Sequence, residues 1–194
     1  MADSDRLRWN ERYSAEAYDL SPAPWLRAME VSLREHPPGA RALDIACGPG
    51  RHAIYLAELG FAVDALDISD VGLAHLNAEL ERRRLAGQPL AVTPRQVDLE
   101  RASLPVDAYD LILDAHYLER PLFTAMRHAL RPGAGRLIIH TFLFTPGGPI
   151  TSRLGNPAFA LQPGELRRSF ADLEIVDLTE DPAREEAHLL ARRR

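Results

Sequence analysis

Apolar and polar positions along the chain alternate between the period of strands and that of helices. Short apolar runs bounded by turn residues predict buried strands at 42–46, 61–67, 90–97, 109–113 and 136–142. Between them, helical periodicity with start and stop signals predicts helices at 51–59, 70–86 and 121–130. This alternation predicts an α/β fold in which helices cover both faces of a parallel sheet.

The two ends of the chain are patterned differently. A helix is predicted to begin near Ser21 and to end at 36–39, and the C-terminal part is predicted to hold a helix at 165–170 and strands at 173–178 and 187–191. Residues 143–164 are rich in proline and glycine and predict a loop or an apolar lid, which would carry Leu143, Phe144, Ile150, Leu154, Phe159 and Leu161. We predict an N-terminal helical cover at 1–38 and one domain at 39–194.

Composition narrows the class of protein. A length of 194 residues with 46% hydrophobic and 26% charged positions is typical of one folded globular domain. The single cysteine, Cys47, excludes an internal disulfide and a multi-cysteine zinc site, and we expect no metal. Without a signal-like or membrane-spanning stretch, we expect a cytoplasmic protein. The net charge of -5 disfavours nucleic acid as a partner, and the absence of lysine excludes Schiff-base chemistry and a P-loop.

Acidic residues follow three of the predicted strands, at Asp44, Asp67 and Asp98. Ligands of open α/β sheets bind outside the carboxyl ends of the strands, so these acids are candidate binding residues. The turn that follows Asp44 holds Gly48 and Gly50 and fits the loose dinucleotide fingerprint. However, a carboxylate at the end of the first strand would repel a pyrophosphate, whereas it would attract the ammonium and sulfonium groups of S-adenosylmethionine. The acids therefore favour S-adenosylmethionine over a dinucleotide.

Several stretches of the chain resemble a known family. Three stretches resemble motifs of class I S-adenosylmethionine-dependent methyltransferases. They are Leu43-Asp-Ile-Ala-Cys-Gly-Pro-Gly-Arg-His52, Asp64-Ala-Leu-Asp-Ile-Ser69 and Asp110-Leu-Ile-Leu-Asp-Ala-His-Tyr117. Three shorter stretches are similar to the small methyltransferases of the tellurite-resistance-protein B and thiopurine-methyltransferase-like group. They are Trp9-Asn-Glu-Arg-Tyr13, Asn156-Pro157 and Pro163-Gly-Glu-Leu166. The resemblance implies a doubly wound, Rossmann-like sheet of seven strands, mostly parallel with one antiparallel strand.

The resemblance also implies which residues bind S-adenosyl-L-methionine and its product S-adenosyl-L-homocysteine. The implied contacts are Asp44, Ala46, Gly48 and Gly50 for the methionine moiety, Asp67 and Ile68 for the ribose, and Asp98 and Leu99 for the adenine. Trp9 and Arg12 are implied to cover the cofactor from the N-terminal segment. Ala46 stands where many members of the class have a glycine.

The residues around the end of the fourth strand are candidates for the acceptor side. A thiol, selenol or related soft nucleophile that is already partly ionised needs no general base, whereas a hydroxyl or an amine does. His116 is the first candidate for such a base, and Asp114 and Tyr117 are the next.

We expect a small-molecule acceptor, because no docking module or basic surface is recognisable and the predicted lid is apolar. The hypothesis is in-line methyl transfer to a soft or apolar acceptor through an S, Se, Te, N or O nucleophile. Three alternatives stay open: an RNA or protein methyltransferase, a protein that binds the cofactor without turnover, and a nicotinamide enzyme. The oligomeric state is not predicted.

Overall fold

The structure, a computed structural model, describes residues 2–15, 18–144 and 157–194. Its strands are β1 (Arg41–Ile45), β2 (Ala62–Asp67), β3 (Val92–Gln96), β4 (Leu111–Ala115), β5 (Arg136–Phe142), β6 (Glu174–Asp181) and β7 (Glu186–Arg192). They form one sheet in the order β3-β2-β1-β4-β5-β7-β6, in which β7 runs antiparallel to β5 and β6. The predicted seven-stranded, Rossmann-like sheet with one antiparallel strand is confirmed.

Along the chain, the N-terminal helices precede β1 and the later helices lie between strands, as the alternation predicted. They are α1 (Ala2–Ala15), α2 (Pro24–Arg27), α3 (Glu30–Leu33), α4 (Arg51–Glu58), α5 (Asp70–Leu85), α6 (Leu122–Ala129) and α7 (Glu165–Ser169). Among these helices, none combines the length and the apolar composition that a membrane span requires.

The chain divides into two compact units, Met1–Ala102 and Ser103–Arg194. In the first unit, β1 pairs in parallel with β2, which places Asp44 opposite Ala65 and Ile45 opposite Leu66. Leu43 and Ile45 are fully buried, as expected for a strand whose apolar run is continuous. β3 lies at the edge of the sheet, where Pro94 is tolerated because an edge strand needs only one side of its hydrogen bonds.

The second unit contains β4 to β7 with α6 and α7. β4 and β5 pair in parallel, and Ala115 lies opposite His140. β5 and β7 pair antiparallel, with His140 directly opposite His188. The rings of Phe123 and Phe170 lie 5.0 Å apart in the core of this unit.

Some predicted boundaries differ from the observed ones. The helix predicted from Ser21 is divided into α2 and α3, because Met29 closes a tighter turn through its N–H to the Leu26 carbonyl, at 3.1 Å. β4 begins and ends two residues later than predicted, so Asp114 lies inside the strand rather than beyond its end. The weakly patterned last strand is present as β7. The division into a cover at 1–38 and a domain at 39–194 stays a prediction.

The predicted loop is described only at its two ends. Residues 145–156, with Ile150, Leu154 and Asn156, lie outside the described residues. Leu143 and Leu161 are buried and joined by a short parallel bridge, whereas Phe159 is exposed. The packing of Leu143 and Leu161 into the core is the ordinary fate of apolar loop residues.

Candidate active site

The turn after β1 adopts a backbone that side chains disfavour. Ala46, Gly48 and Gly50 all have positive φ angles, of 52°, 53° and 86°. The Cys47 N–H donates to the Leu66 carbonyl at 2.9 Å and so ties the turn to β2. Ala46 holds the left-handed conformation that a glycine would adopt more easily, which explains why glycine is common there in the class that this sequence resembles.

Among the described acids of the first unit, Asp44 is the most deeply buried. Its side chain comes from β1, is 1% exposed and accepts a hydrogen bond from the Ala53 backbone N–H. Its second oxygen, Oδ2, is buried without a hydrogen-bond partner among the described residues. Burial, with the nearby Asp67 charge, raises the pKa of Asp44 to about 8. An unpaired buried carboxyl oxygen of this kind fits a cationic ligand group.

Asp67 ends β2 and binds the backbone on two sides. One carboxylate oxygen accepts from the Gly48 N–H and the other from the Ser69 N–H, both at 2.7 Å. Burial raises the pKa of Asp67, although these hydrogen bonds oppose the rise. The Ile68 N–H is a third backbone donor to this carboxylate. Because a carboxylate has about four acceptor sites, one of them remains for a ligand.

Tyr13 on α1 lies directly over the glycine turn. A Cβ added to Gly48 would come within 2.6 Å of the Tyr13 Oη, and one added to Gly72 within 3.0 Å of the Tyr13 ring. These two glycines therefore make room for the tyrosine. Burial, together with the negative charge of Asp67, raises the pKa of the Tyr13 hydroxyl, so it stays protonated and can donate a hydrogen bond.

Helix α1 is fastened to the start of α5 by a polar residue. The Asn10 side chain donates to Asp70 at 2.8 Å and accepts from the Ser69 hydroxyl at 2.7 Å, while Ser69 caps α5 through the Gly72 N–H. The predicted contacts Trp9 and Arg12 belong to the same helix. Trp9 stacks on Tyr13 with centroids 5.6 Å apart, and the Arg12 guanidinium lies 5.3 Å from the Trp9 ring centroid.

The residues predicted to bind ribose and adenine follow β2 and β3. The Ile68 carbonyl accepts a hydrogen bond from Gln96, at 3.0 Å. Asp98 accepts from the Glu100 N–H at 3.1 Å and is partly exposed, while Leu99 beside it is buried. Asp98 thus shapes its own turn, and its second carboxylate oxygen lies 3.7 Å from the Arg101 guanidinium.

Cys47 lies in the same turn but does not have the properties of a nucleophile. Burial and the charges of Asp44 and Asp67 raise the pKa of its thiol well above the usual value. A thiol that resists ionisation is a poor nucleophile, so Cys47 is best explained as a small residue of the turn.

The second unit holds the predicted acceptor-side residues Asp114, His116 and Tyr117. Asp114 is buried within β4, opposite Ile139, while His116 is exposed and Tyr117 is half-buried. His116 has a φ of 62°, and its N–H donates to the His140 carbonyl at 2.8 Å. These three residues lie within the four-residue stretch 114–117, at the carboxyl end of β4.

Sequence reasoning missed two histidines of this unit. The ring of His140 lies 5.3 Å from that of His116 and 6.0 Å from that of His188. Both occur within apolar strands, in Leu-Ile-Ile-His140 and Ala-His188-Leu-Leu, and a polar residue at such a position is the signal that could have identified them.

Arg120, which lies between β4 and α6, binds groups of the protein itself. Its guanidinium binds both oxygens of Glu165, at 2.5 and 3.0 Å, and the carbonyls of Ala158 and Ala160. It therefore fastens the chain after residue 157 to the segment that follows β4.

A sheet of this order, with acids at the ends of β1 and β2 around a glycine turn, has the fold of the class I S-adenosylmethionine-dependent methyltransferases. The sequence profile of the family described as tellurite resistance protein TehB matches residues 10–188. The chain belongs to this family.

Comparisons with individual proteins agree with this class. TehB from Haemophilus influenzae has a TM-score of 0.71 at 20% identity, over 97% of this chain and 67% of that chain. An S-adenosylmethionine-dependent methyltransferase from Mesorhizobium loti has a TM-score of 0.64 at 24% identity, over 90% of this chain and 100% of that chain. The Bacillus subtilis protein YqeM, a methyltransferase by name, is 44% identical over 61 residues, which are 29% of this chain and only 24% of that protein.

Proposed function

We propose that this protein transfers a methyl group from S-adenosyl-L-methionine to a small, soft acceptor, with its first unit holding the cofactor. The buried, unpaired Oδ2 of Asp44 carries this proposal. A buried carboxyl oxygen without a donor is costly, and a cationic ligand group supplies the missing partner. The pyrophosphate of a dinucleotide offers this oxygen neither a cationic group nor a hydrogen-bond donor, which argues against a nicotinamide cofactor.

The other predicted contacts fit the remaining parts of the same ligand. Gly48 and Gly50 hold the turn at positive φ angles, with Tyr13 and Leu76 packed against them, and Asp67 retains an acceptor site for a ribose hydroxyl. Asp98 and Leu99 offer an acceptor and an apolar surface to the adenine. We add Tyr13 to this set, because its side chain lies directly over Gly48 of the turn.

The cofactor, when bound, supplies a methyl carbon that its sulfonium already makes electrophilic. The protein then needs to orient the acceptor and exclude water, and it needs a base only for an acceptor that arrives protonated. His116, Tyr117 and Asp114 are the proposed acceptor-side residues. We propose a small molecule as the partner and the cytoplasm as the compartment.

The test is calorimetric titration of S-adenosyl-L-methionine and S-adenosyl-L-homocysteine into the wild type, Asp44→Asn and Asp67→Ala. Loss of a charge-assisted hydrogen bond is worth about 1.5–3 kcal/mol, so each substitution is expected to weaken binding by at least about tenfold. Asp3→Asn, an exposed acid on α1, is the matched control and should bind as the wild type does. Circular dichroism would confirm that each variant is folded. Unchanged affinity in both site variants, or tighter binding of NAD than of S-adenosyl-L-methionine, would contradict the proposal.

A further inference from the structure

Three histidines lie side by side on neighbouring strands of the second unit. His116 follows β4, His140 lies on β5 and His188 lies opposite it on β7. Two carboxylates accompany them at longer distances: Glu186 lies 3.7 Å from His140 Nε2, and Asp177 on β6 lies 3.9 Å from His188 Nε2. We call the three imidazoles the histidine row.

The exposed member of the row, His116, is held in an uncommon conformation. A non-glycine residue at φ 62° costs free energy, and such residues concentrate at functional sites. Its N–H is bound by the His140 carbonyl, and its ring packs 5.3 Å from His140 and 5.1 Å from Phe142. β5 therefore fixes both the backbone and the ring of His116, which is the kind of preorganisation that a reacting group needs.

The two inner members of the row are uncharged at neutral pH. Burial, followed by the charges of His116 and His188, lowers the pKa of His140 to about 4. Burial also lowers the pKa of His188, although Asp177 opposes this. A neutral His140 does not repel a positive charge on His116, whereas a protonated one at this distance would. The exposed ring of His116 can exchange a proton with water.

This inference rests on the proposed function and narrows its acceptor class. We infer that the acceptor is a protic nucleophile that arrives with its proton and gives it to His116, and that His140 is the positioning residue that holds the His116 ring for this transfer. The acceptor X–H bond breaks and its proton goes to an imidazole nitrogen. With the cofactor bound, the freed electron pair would form the X–CH₃ bond, and the electrons of the methyl–sulfur bond would stay on the sulfur, so that the step balances. The proton then passes from His116 to water.

The test compares two thiols that differ in ionisation. Benzyl mercaptan, an alkyl thiol, is largely protonated at pH 7, because such thiols have pKa values near about 8.5, whereas 4-nitrothiophenol is already ionised. S-adenosyl-L-homocysteine formation would be measured for the wild type, His116→Gln and His140→Gln. His128→Gln is the matched control, since this exposed histidine on α6 lies outside the row.

Both row variants are expected to lose at least about tenfold in kcat/KM with benzyl mercaptan and less than about twofold with 4-nitrothiophenol. Raising the pH, which ionises the alkyl thiol, should restore part of the loss in His116→Gln. Equal losses for both thiols, or none, would overturn the inference, as would a wild type that methylates only the nitrothiophenol.

A second measurement does not depend on turnover. Relaxation of the His116 Cε1–H group, measured by NMR in the cofactor-free protein, should show a more mobile ring in His140→Gln than in the wild type or His128→Gln. An unchanged ring mobility would overturn the positioning role. If the wild type binds no S-adenosyl-L-methionine, the proposed function fails, and this measurement still reports on His140 by itself.

Discussion

At the scale of single residues, Asp44 carries a proton that a cationic ligand has to displace. Its pKa of about 8 means that the folded, cofactor-free protein holds this carboxyl mostly protonated at pH 7. The approach of an ammonium or sulfonium group favours the ionised form and lowers that pKa again. Binding of the cofactor is therefore coupled to release of a proton.

This coupling predicts that calorimetric binding enthalpies depend on the buffer. At pH 7, titration of S-adenosyl-L-methionine in phosphate and in Tris should reveal release of roughly one proton per bound cofactor, because the released proton is taken up by buffers of different ionisation enthalpy. Asp44→Asn has no such proton and should show no buffer dependence. Identical enthalpies for the wild type in both buffers would show that Asp44 is already ionised or lies away from the cation.

At the scale of elements, α1 depends on the rest of the first unit for its position. It is polar and has 14 residues, a length at which an isolated helix is marginal in water. Asn10 joins it to the start of α5, and Tyr13 lies over Gly48 and Gly72. The order of this helix and the shape of the glycine turn are thus linked through a few contacts.

Asn10→Ala should therefore loosen α1 and weaken cofactor binding. The substitution removes two hydrogen bonds, each worth about 1 kcal/mol, and leaves the core of the unit intact. Hydrogen exchange should become faster in residues 2–15, and calorimetry should show a several-fold loss of affinity for S-adenosyl-L-homocysteine. Ser14→Ala, on an exposed position of the same helix, is the control. Faster exchange with unchanged affinity would show that α1 does not cover the cofactor.

The elements differ in how far the sequence predicts them. β5 was predicted with its observed bounds, Arg136–Phe142, because a turn with proline and glycine precedes its apolar residues and a stretch rich in proline and glycine follows them. The acids at the ends of β1 and β2 follow from the same local pattern. The role of Asn10 does not, since it binds residues some 60 positions away, and a local pattern holds no information on such a contact.

The histidine row shows the same limit within the candidate site. His116 was predicted because it directly follows a strand, where functional residues of such sheets concentrate. His140 and His188 were missed because they become neighbours only through the antiparallel pairing of β5 with β7, and the last strand was weakly patterned. Strand order, rather than strand existence, was the missing information.

At the scale of the whole molecule, the buried acids of the first unit and the buried histidines of the second change the stability in opposite directions as the pH changes. The raised pKa of Asp44 means that the folded state binds a proton that the unfolded chain loses near about pH 4, so this group makes the free energy of unfolding fall between about pH 4 and 8. Asp67 acts in the same direction. His140 acts in the opposite direction: its lowered pKa makes stability fall as the pH drops from about 6.5 towards 4, and His188 adds to this.

These opposed effects predict the shape of the stability curve of the cofactor-free protein. Below about pH 6.5, the contributions of the buried acids and of the buried histidines to the pH dependence of the free energy of unfolding offset each other. Between about pH 6.5 and 8 only the acids contribute, so the melting temperature should fall as the pH rises through this range. Asp44→Asn should raise the melting temperature at pH 7.5, by about 2–4 °C for each kcal/mol gained in the free energy of unfolding. The melting temperature of this variant should also fall less between pH 6.5 and 8, although its affinity for the cofactor is weaker. His140→Gln should remove the loss of stability that His140 causes below about pH 6.5. The free energy of unfolding of this variant should therefore rise as the pH is lowered towards 5. Thermal unfolding followed by circular dichroism from pH 5 to 8 measures both effects, and a wild-type melting temperature that rises from pH 6.5 to 8 would contradict a buried, protonated Asp44.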